Sequence, residues 1–200
     1  MVISRALLLL PAALLALAGP AAASTHLIGT AGADRLSGTG ARDWIQAGAG
    51  DDLVEGLVGS DVLDGEAGSD RVRGGLGNDE LDGGRGADRL SGGPGRDSLD
   101  GGQGHDVLRG GADDDFLADY DGGDLLLGST GDDSAVLASG AAGGSHLRLG
   151  PGDDDVIVQR DGVADVVDCG PGQDVAEWVD ARDPHDRYLG CETVQEYLGY

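Results

Sequence analysis

Aspartate recurs every nine residues along the middle of the chain, at Asp34, Asp43, Asp52, Asp61, Asp70, Asp79, Asp88, Asp97, Asp106, Asp115, Asp124 and Asp133. Evenly spaced carboxylates do chemistry only if folding brings them together, and their hard oxygen atoms then suit a cation such as Ca²⁺. The spacing belongs to a larger pattern. From Gly29 to Val136 the chain divides into twelve consecutive nonapeptides with Asp sixth in every one. The eighth position is a large aliphatic in eleven units, from Leu36 and Ile45 to Leu117 and Leu126, with Ala135 the exception, and Gly fills the first and the fourth positions in ten units each.

These positions say what must hold the acids. An aliphatic between two variable neighbours is the period-two signature of a short, half-buried strand. Gly before it permits positive φ and close approach of backbone carbonyls. Units of eighteen residues stacked at the ~4.8 Å spacing of parallel strands put the Asp residues into two columns. One holds Asp34, Asp52, Asp70, Asp88, Asp106 and Asp124, the other Asp43, Asp61, Asp79, Asp97, Asp115 and Asp133. Neighbouring carboxylates in a column repel by about 3–4 kcal/mol at an effective dielectric of 20. A calcium ion midway would lie about 2.4 Å from each, inside the Ca–O range, whereas the shorter, octahedral shell of Mg²⁺ fits worse. Two columns of six leave five gaps each, so about ten ions is the upper expectation.

The nonapeptides resemble the hemolysin-type calcium-binding (RTX) repeat, whose G-G-x-G-x-D-x-U-x pattern is shown by Gly74-Gly75-Leu76-Gly77-Asn78-Asp79-Glu80-Leu81-Asp82. The resemblance implies an all-β, right-handed parallel β-roll (a β-solenoid) of two short parallel sheets. It implies multiple Ca²⁺ ions between neighbouring turns, with the sixth-position Asp side chains as ligands and the Gly-rich turns supplying carbonyls. The core of such a roll is a thin row of aliphatics set against many Gly residues to be ordered. The repeat is therefore expected to be disordered without calcium and to fold as the ions bind. The cleanest units run from Gly74 to Gly111. Thr30, Thr39, Leu57 and Glu66 replace the second Gly earlier, and Asp113, Asp119 and Tyr120 break the pattern later, where Asp113, Asp114 and Asp121 offer extra carboxylates.

Outside residues 29–136 the organisation changes. Residues 1–23 read as a signal peptide: Arg5, an apolar run from Ala6 to Ala18, a Gly19-Pro20 break and Ala21-Ala22-Ala23. The run is shorter than the ~20 residues of a membrane span, so no stable membrane insertion is expected. Residues 137–168 read as degenerate repeats and loop, in which Leu149–Ile157 echoes one unit three residues out of phase. Cys169–Ala176 is a second echo, which makes Asp154 and Asp174 further candidate ligands. Cys169 and Cys191, the only cysteines, pair in an exported chain, and residues 169–200 are expected to form a disulfide-closed C-terminal cap with Trp178, Tyr188 and Tyr197.

Composition narrows the function. The 200 residues include 39 Gly, 37 acidic and 13 basic residues, for a net charge of −24. All the basic residues are Arg, and only seven side chains are aromatic. Nucleic acid is excluded as a partner by the sign of the charge. His26, His105, His146 and His185 are scattered, with no H-E-x-x-H helix, and Ser145-His146 has no G-x-S-x-G elbow around it. No catalytic residue is assigned. The sequence thus points to an exported, non-enzymatic calcium-binding repeat protein, secreted, extracellular or periplasmic, of structural, adhesive or calcium-responsive role, with a cell-surface or matrix partner left open. The alternative is a secreted hydrolase or toxin-related protein in which the repeats are a calcium-dependent folding module.

Overall fold

The structure, a computed structural model, describes residues 23–138, 143–159, 162–179 and 183–196. The expected signal peptide therefore lies outside the described residues but for Ala23, and Tyr197 of the expected cap lies outside them too.

Each aliphatic two residues beyond a column Asp sits in the middle of a short strand and points inward, as in Ser98–Asp100, where only Leu99 is turned to the core. Successive strands alternate between two sheets. The ten-stranded sheet runs from His26–Ile28 to Thr193–Glu196, the nine-stranded one from Arg35–Ser37 to Arg187–Leu189. All pairing is parallel, with an eighteen-residue register through the repeats: Leu63, Leu81, Leu99 and Leu117 stack in one sheet, Val72, Leu90, Leu108 and Leu126 in the other. The two rows close on each other as one buried core. A third sheet of two-residue strands, Arg85–Gly86, Gln103–Gly104 and Asp121–Gly122, runs along one edge of turns. No helix occurs among the described residues. The expected all-β parallel solenoid is what the chain forms.

The sheets also run on through the residues read from sequence as a lapse and a cap. Leu147 pairs with Leu126 and with Val167, which in turn pairs with Tyr188. On the other sheet Val156 pairs with Ala135 and Ala176, and Ala176 with Val194. Hydrophobic substitution explains the continuity. Where the repeats have a leading Gly, the later coils place Leu137, Leu149, Val158 and Cys169, all fully buried, so apolar bulk increases as the glycine turns give out. Cys169 is joined to Cys191 by a disulfide. Closing a 22-residue loop contributes about 3 kcal/mol on the chain-entropy model.

Close stacking makes particular glycines obligatory. Gly104 has φ +146°, and a Cβ there would fall 1.5 Å from the carbonyl oxygen of Gly86 one coil below. Gly104→Ala is expected to destabilise the calcium-loaded fold by at least about 2 kcal/mol in denaturant unfolding. Gly32→Ala, at a site with no atom within 4 Å of the added Cβ, is the near-neutral control.

Candidate metal centre

The two columns of Asp exist as drawn, and the backbone fixes one oxygen of each carboxylate. Through the repeats the amide N–H of a column Asp donates to Oδ1 of the Asp one coil later, up to Asp124 in one column and Asp133 in the other. In the first column Asp34 donates to Asp52 at 2.7 Å, Asp52 to Asp70, Asp70 to Asp88, Asp88 to Asp106 and Asp106 to Asp124 at 2.8 Å. In the second, the series runs from Asp43 through Asp61, Asp79, Asp97 and Asp115 to Asp133. It continues to Asp154, then Asp174, and ends on Glu192 at 2.8 Å.

The second oxygen is a different matter. Oδ2 of Asp52, Asp61, Asp70, Asp79, Asp88, Asp97, Asp106, Asp115, Asp124, Asp133, Asp154 and Asp174 is buried with no hydrogen-bond partner. Buried carboxylate oxygens left without a donor are costly, and a row of them repeats that cost at every coil. For Asp61, Asp70, Asp79, Asp88, Asp97, Asp106, Asp115 and Asp133 this oxygen lies beside the leading Gly of its own unit, where Ala47, Asp119, Leu149 and Cys169 stand in the units of Asp52, Asp124, Asp154 and Asp174. A Cβ built on Gly56 would lie 2.4 Å from Asp61 Oδ2 and 2.6 Å from the carbonyl oxygen of Gly74 one coil on. At Gly83 the same two neighbours are Asp88 Oδ2 at 2.8 Å and the Gly101 carbonyl at 2.6 Å. Carboxylate and carbonyl oxygens therefore converge where a side chain is missing, a donor set of the kind Ca²⁺ takes. Among the described residues no three His, Cys, Asp or Glu side chains form a metal-binding group, so carbonyls have to complete the shell. Because Oδ1 is held by a backbone amide, each Asp would offer an ion its Oδ2 alone, not the symmetric carboxylate bridge expected from spacing.

The electrostatics agree. Burial pushes the carboxyls of Asp70, Asp88, Asp97, Asp106 and Asp133 up to about 6, and those of Asp115 and Asp154 up to about 7. The donated amide acts against this and neighbouring carboxylates add to it. Asp124, which also faces Asp119, is raised as well. A cation in the oxygen-lined space would supply the compensation that the protein alone does not.

The first rung of each column differs. Thr30 donates its amide (2.6 Å) and its hydroxyl (2.9 Å) to Asp34 Oδ2, and Thr39 does the same to Asp43 Oδ2 at 2.5 and 3.0 Å. The oxygen that is orphaned elsewhere is thus satisfied by protein at Asp34 and Asp43. Burial raises the Asp43 carboxyl, but the amides and hydroxyls of Thr25 and Thr39 outweigh it and bring it below the ordinary value. Thr39→Ala keeps the amide and loses the hydroxyl, and is expected to cost about 1–2 kcal/mol in denaturant unfolding.

Sequence reasoning missed the column residues Ser145, Asp165, Asp186 and Glu192. Asp124 N–H donates to Ser145 Oγ at 3.1 Å, Ser145 N–H to Asp165 at 2.7 Å, and Asp165 N–H to Asp186 at 3.1 Å. The signal that finds them is the pair spacing, not the glycines: each lies two residues before an inward side chain, Leu147, Val167, Tyr188 or Val194.

A family model for the RTX calcium-binding nonapeptide repeat (4 copies) matches residues 28–63, 55–90 and 82–117. Residues 28–117 are RTX calcium-binding nonapeptide repeats. Each match spans two coils, and the matched stretch contains most of the orphaned carboxylates. The RTX repeats imply Ca²⁺ as the bound ion, as the oxygen-only donor set does independently. Among curated proteins none matches the chain.

Proposed function

We propose that this is an exported, non-enzymatic protein whose RTX repeats take up several calcium ions between successive coils, with a structural or adhesive role that depends on that uptake. The observation that carries the reading is the row of buried, unpartnered Oδ2 atoms, with a carbonyl of the next coil beside those of Asp61, Asp70, Asp88 and Asp133. The repeats' Asp residues from Asp52 to Asp133 are the proposed ligands, with Asp154 and Asp174 continuing the second column, whereas Asp34 and Asp43 act chiefly as sealed ends. The ions supply charge compensation; the chain supplies position, through the amide held by every Oδ1.

A non-catalytic role is supported by what three of the four histidines do. His26 stacks on Trp44 with centroids 4.7 Å apart, His105 Nδ1 meets the Gly123 carbonyl, and His185 pairs with Asp183. Each has a structural partner of its own. Export is supported by the composition of residues 1–23 and by the Cys169–Cys191 disulfide, which suits an oxidising compartment. Among the described residues no helix is long and apolar enough to cross a membrane.

Calorimetric titration of the chain with calcium, run beside a broad hydrolase screen, tests the reading. Several ions per chain and no turnover are expected. Absence of binding at millimolar calcium would overturn the calcium assignment, and calcium-dependent hydrolysis would overturn the non-enzymatic one.

A further inference from the structure

Two of the twelve units lack Gly at their most crowded point, one with the small Ala47 and the other with a charged side chain. In the regular turns the leading residue is Gly, and a Cβ there would come within 2.2 Å of Asp97 Oδ2 at Gly92 and 2.8 Å of Asp106 Oδ2 at Gly101. The unit carrying Asp124 begins instead with Asp119, whose side chain is completely buried. A carboxylate is therefore placed in the space where, elsewhere, oxygens already converge. Asp119 acts as a like charge on Asp124, Asp106 and Asp100.

The neighbouring rung is altered to match. Ser145 stands in the column where the other coils have an acid. Its Oγ accepts the Asp124 amide at 3.1 Å, and its hydroxyl donates to Asp119 Oδ2. This rung has lost one carboxylate, at Ser145, and gained one, at Asp119. The Ser145 hydroxyl occupies one oxygen of Asp119 and leaves Oδ1, like Asp124 Oδ2, buried with no partner.

We propose that Asp119 Oδ1 and Asp124 Oδ2 ligate one further divalent cation of the calcium class, at a site built from two carboxylates of a single unit with Ser145 as the positioning residue. The inference rests on the calcium reading of the columns and goes beyond it, because the repeat pattern has no acid at the leading position. Two buried negative oxygens with no donor do not share a small space stably without a counter-charge. The donors are all hard oxygens, which select Ca²⁺ over metals that prefer nitrogen or sulfur. The rung keeps the ligand charge of its neighbours but holds both carboxylates within one unit, one of them pinned by Ser145, and a more rigid oxygen-ligand site binds more tightly.

Calcium titration of the full chain by calorimetry tests this, with circular dichroism at saturating calcium confirming that each variant is folded. In the unaltered chain one ion per chain binds ahead of the rest, with a Kd lower by about tenfold or more. Asp119→Gly, which restores the ordinary turn, and Asp119→Asn, which keeps the shape and removes the charge, abolish that first event and leave the later ions. Ser145→Ala weakens the first event without removing it. If Asp119→Gly and the unaltered chain give superimposable isotherms with several ions bound, the Asp119 site is wrong and the column reading stands. If the first ion survives Asp119→Asn, Asp119 does not ligate it and the proposal falls. If the unaltered chain binds no ion, both readings fall together.

Discussion

Stripping divalent cations from the chain near neutral pH abolishes its β-sheet signal, and calcium restores it. The expectation follows from one repeated local conflict. Each coil buries a carboxylate oxygen with no donor, about 4.8 Å from the carboxylate of the next coil by strand spacing. At an effective dielectric of 20 each such neighbour costs about 3–4 kcal/mol, and the chain already carries −24. The stabilising side is narrow: one inward aliphatic per strand, in strands mostly of three to six residues. Binding free energy at the columns is therefore folding free energy. Far-ultraviolet circular dichroism in excess chelator, followed by calcium titration, reads it directly. A near-complete loss and a cooperative return are expected, with a midpoint on the order of 10⁻⁴–10⁻³ M as in extracellular calcium modules. Full β signal in chelator would show that hydrogen bonding and the apolar core suffice without ions.

Acid partly replaces the metal. The carboxyls of Asp70, Asp88, Asp97, Asp106 and Asp133 are pushed by burial up to about 6, and those of Asp115 and Asp154 up to about 7, against 3.8 when unburied. A carboxyl raised by folding binds its proton more tightly in the folded state. The stability it contributes is thus complete below the unfolded value and is lost as pH rises through the folded one. For the calcium-free chain the window runs from about pH 4 to about pH 7, the reverse of the usual acid denaturation. In chelator, lowering pH from about 8 to about 5 is expected to recover a large share of the β signal lost to chelation. With calcium saturating, the sign inverts: protons compete for the same Oδ2 atoms, and affinity falls as pH drops through 6–7. A calcium-free chain equally unfolded at both pH values would show that the column carboxyls are not desolvated as described.

Much of this was written into the sequence because the code is short-range and repeated. Asp two residues before an aliphatic fixes a ladder position and an inward side chain within one strand, and the nine-residue step alternates the sheets. That rule located the columns, the strands and the core row from Leu36 to Ala135. What escaped had no such code. The tail lost its glycines, so Ser145, Asp165, Asp186 and Glu192 were not recognised, although the spacing to Leu147, Val167, Tyr188 and Val194 persists. Thr30 and Thr39 read as flaws in a glycine pattern; only three-dimensional placement shows each donating twice to an Asp four residues on. Asp119 read as a break in the pattern for the same reason. Its meaning depends on Ser145, 26 residues away.

The alternation of sheets has a consequence for how such a molecule varies in size. A coil is two nonapeptides, one for each sheet, and the Cys169–Cys191 clasp is bound to a particular side of the tube. Gain or loss of eighteen residues changes the rod by one storey of about 4.8 Å and leaves every remaining contact in place. Gain or loss of nine would hand the whole tail to the opposite wall, with Leu149 and Cys169 facing partners they were not fitted to. Length here is quantised, and the quantum is the full turn.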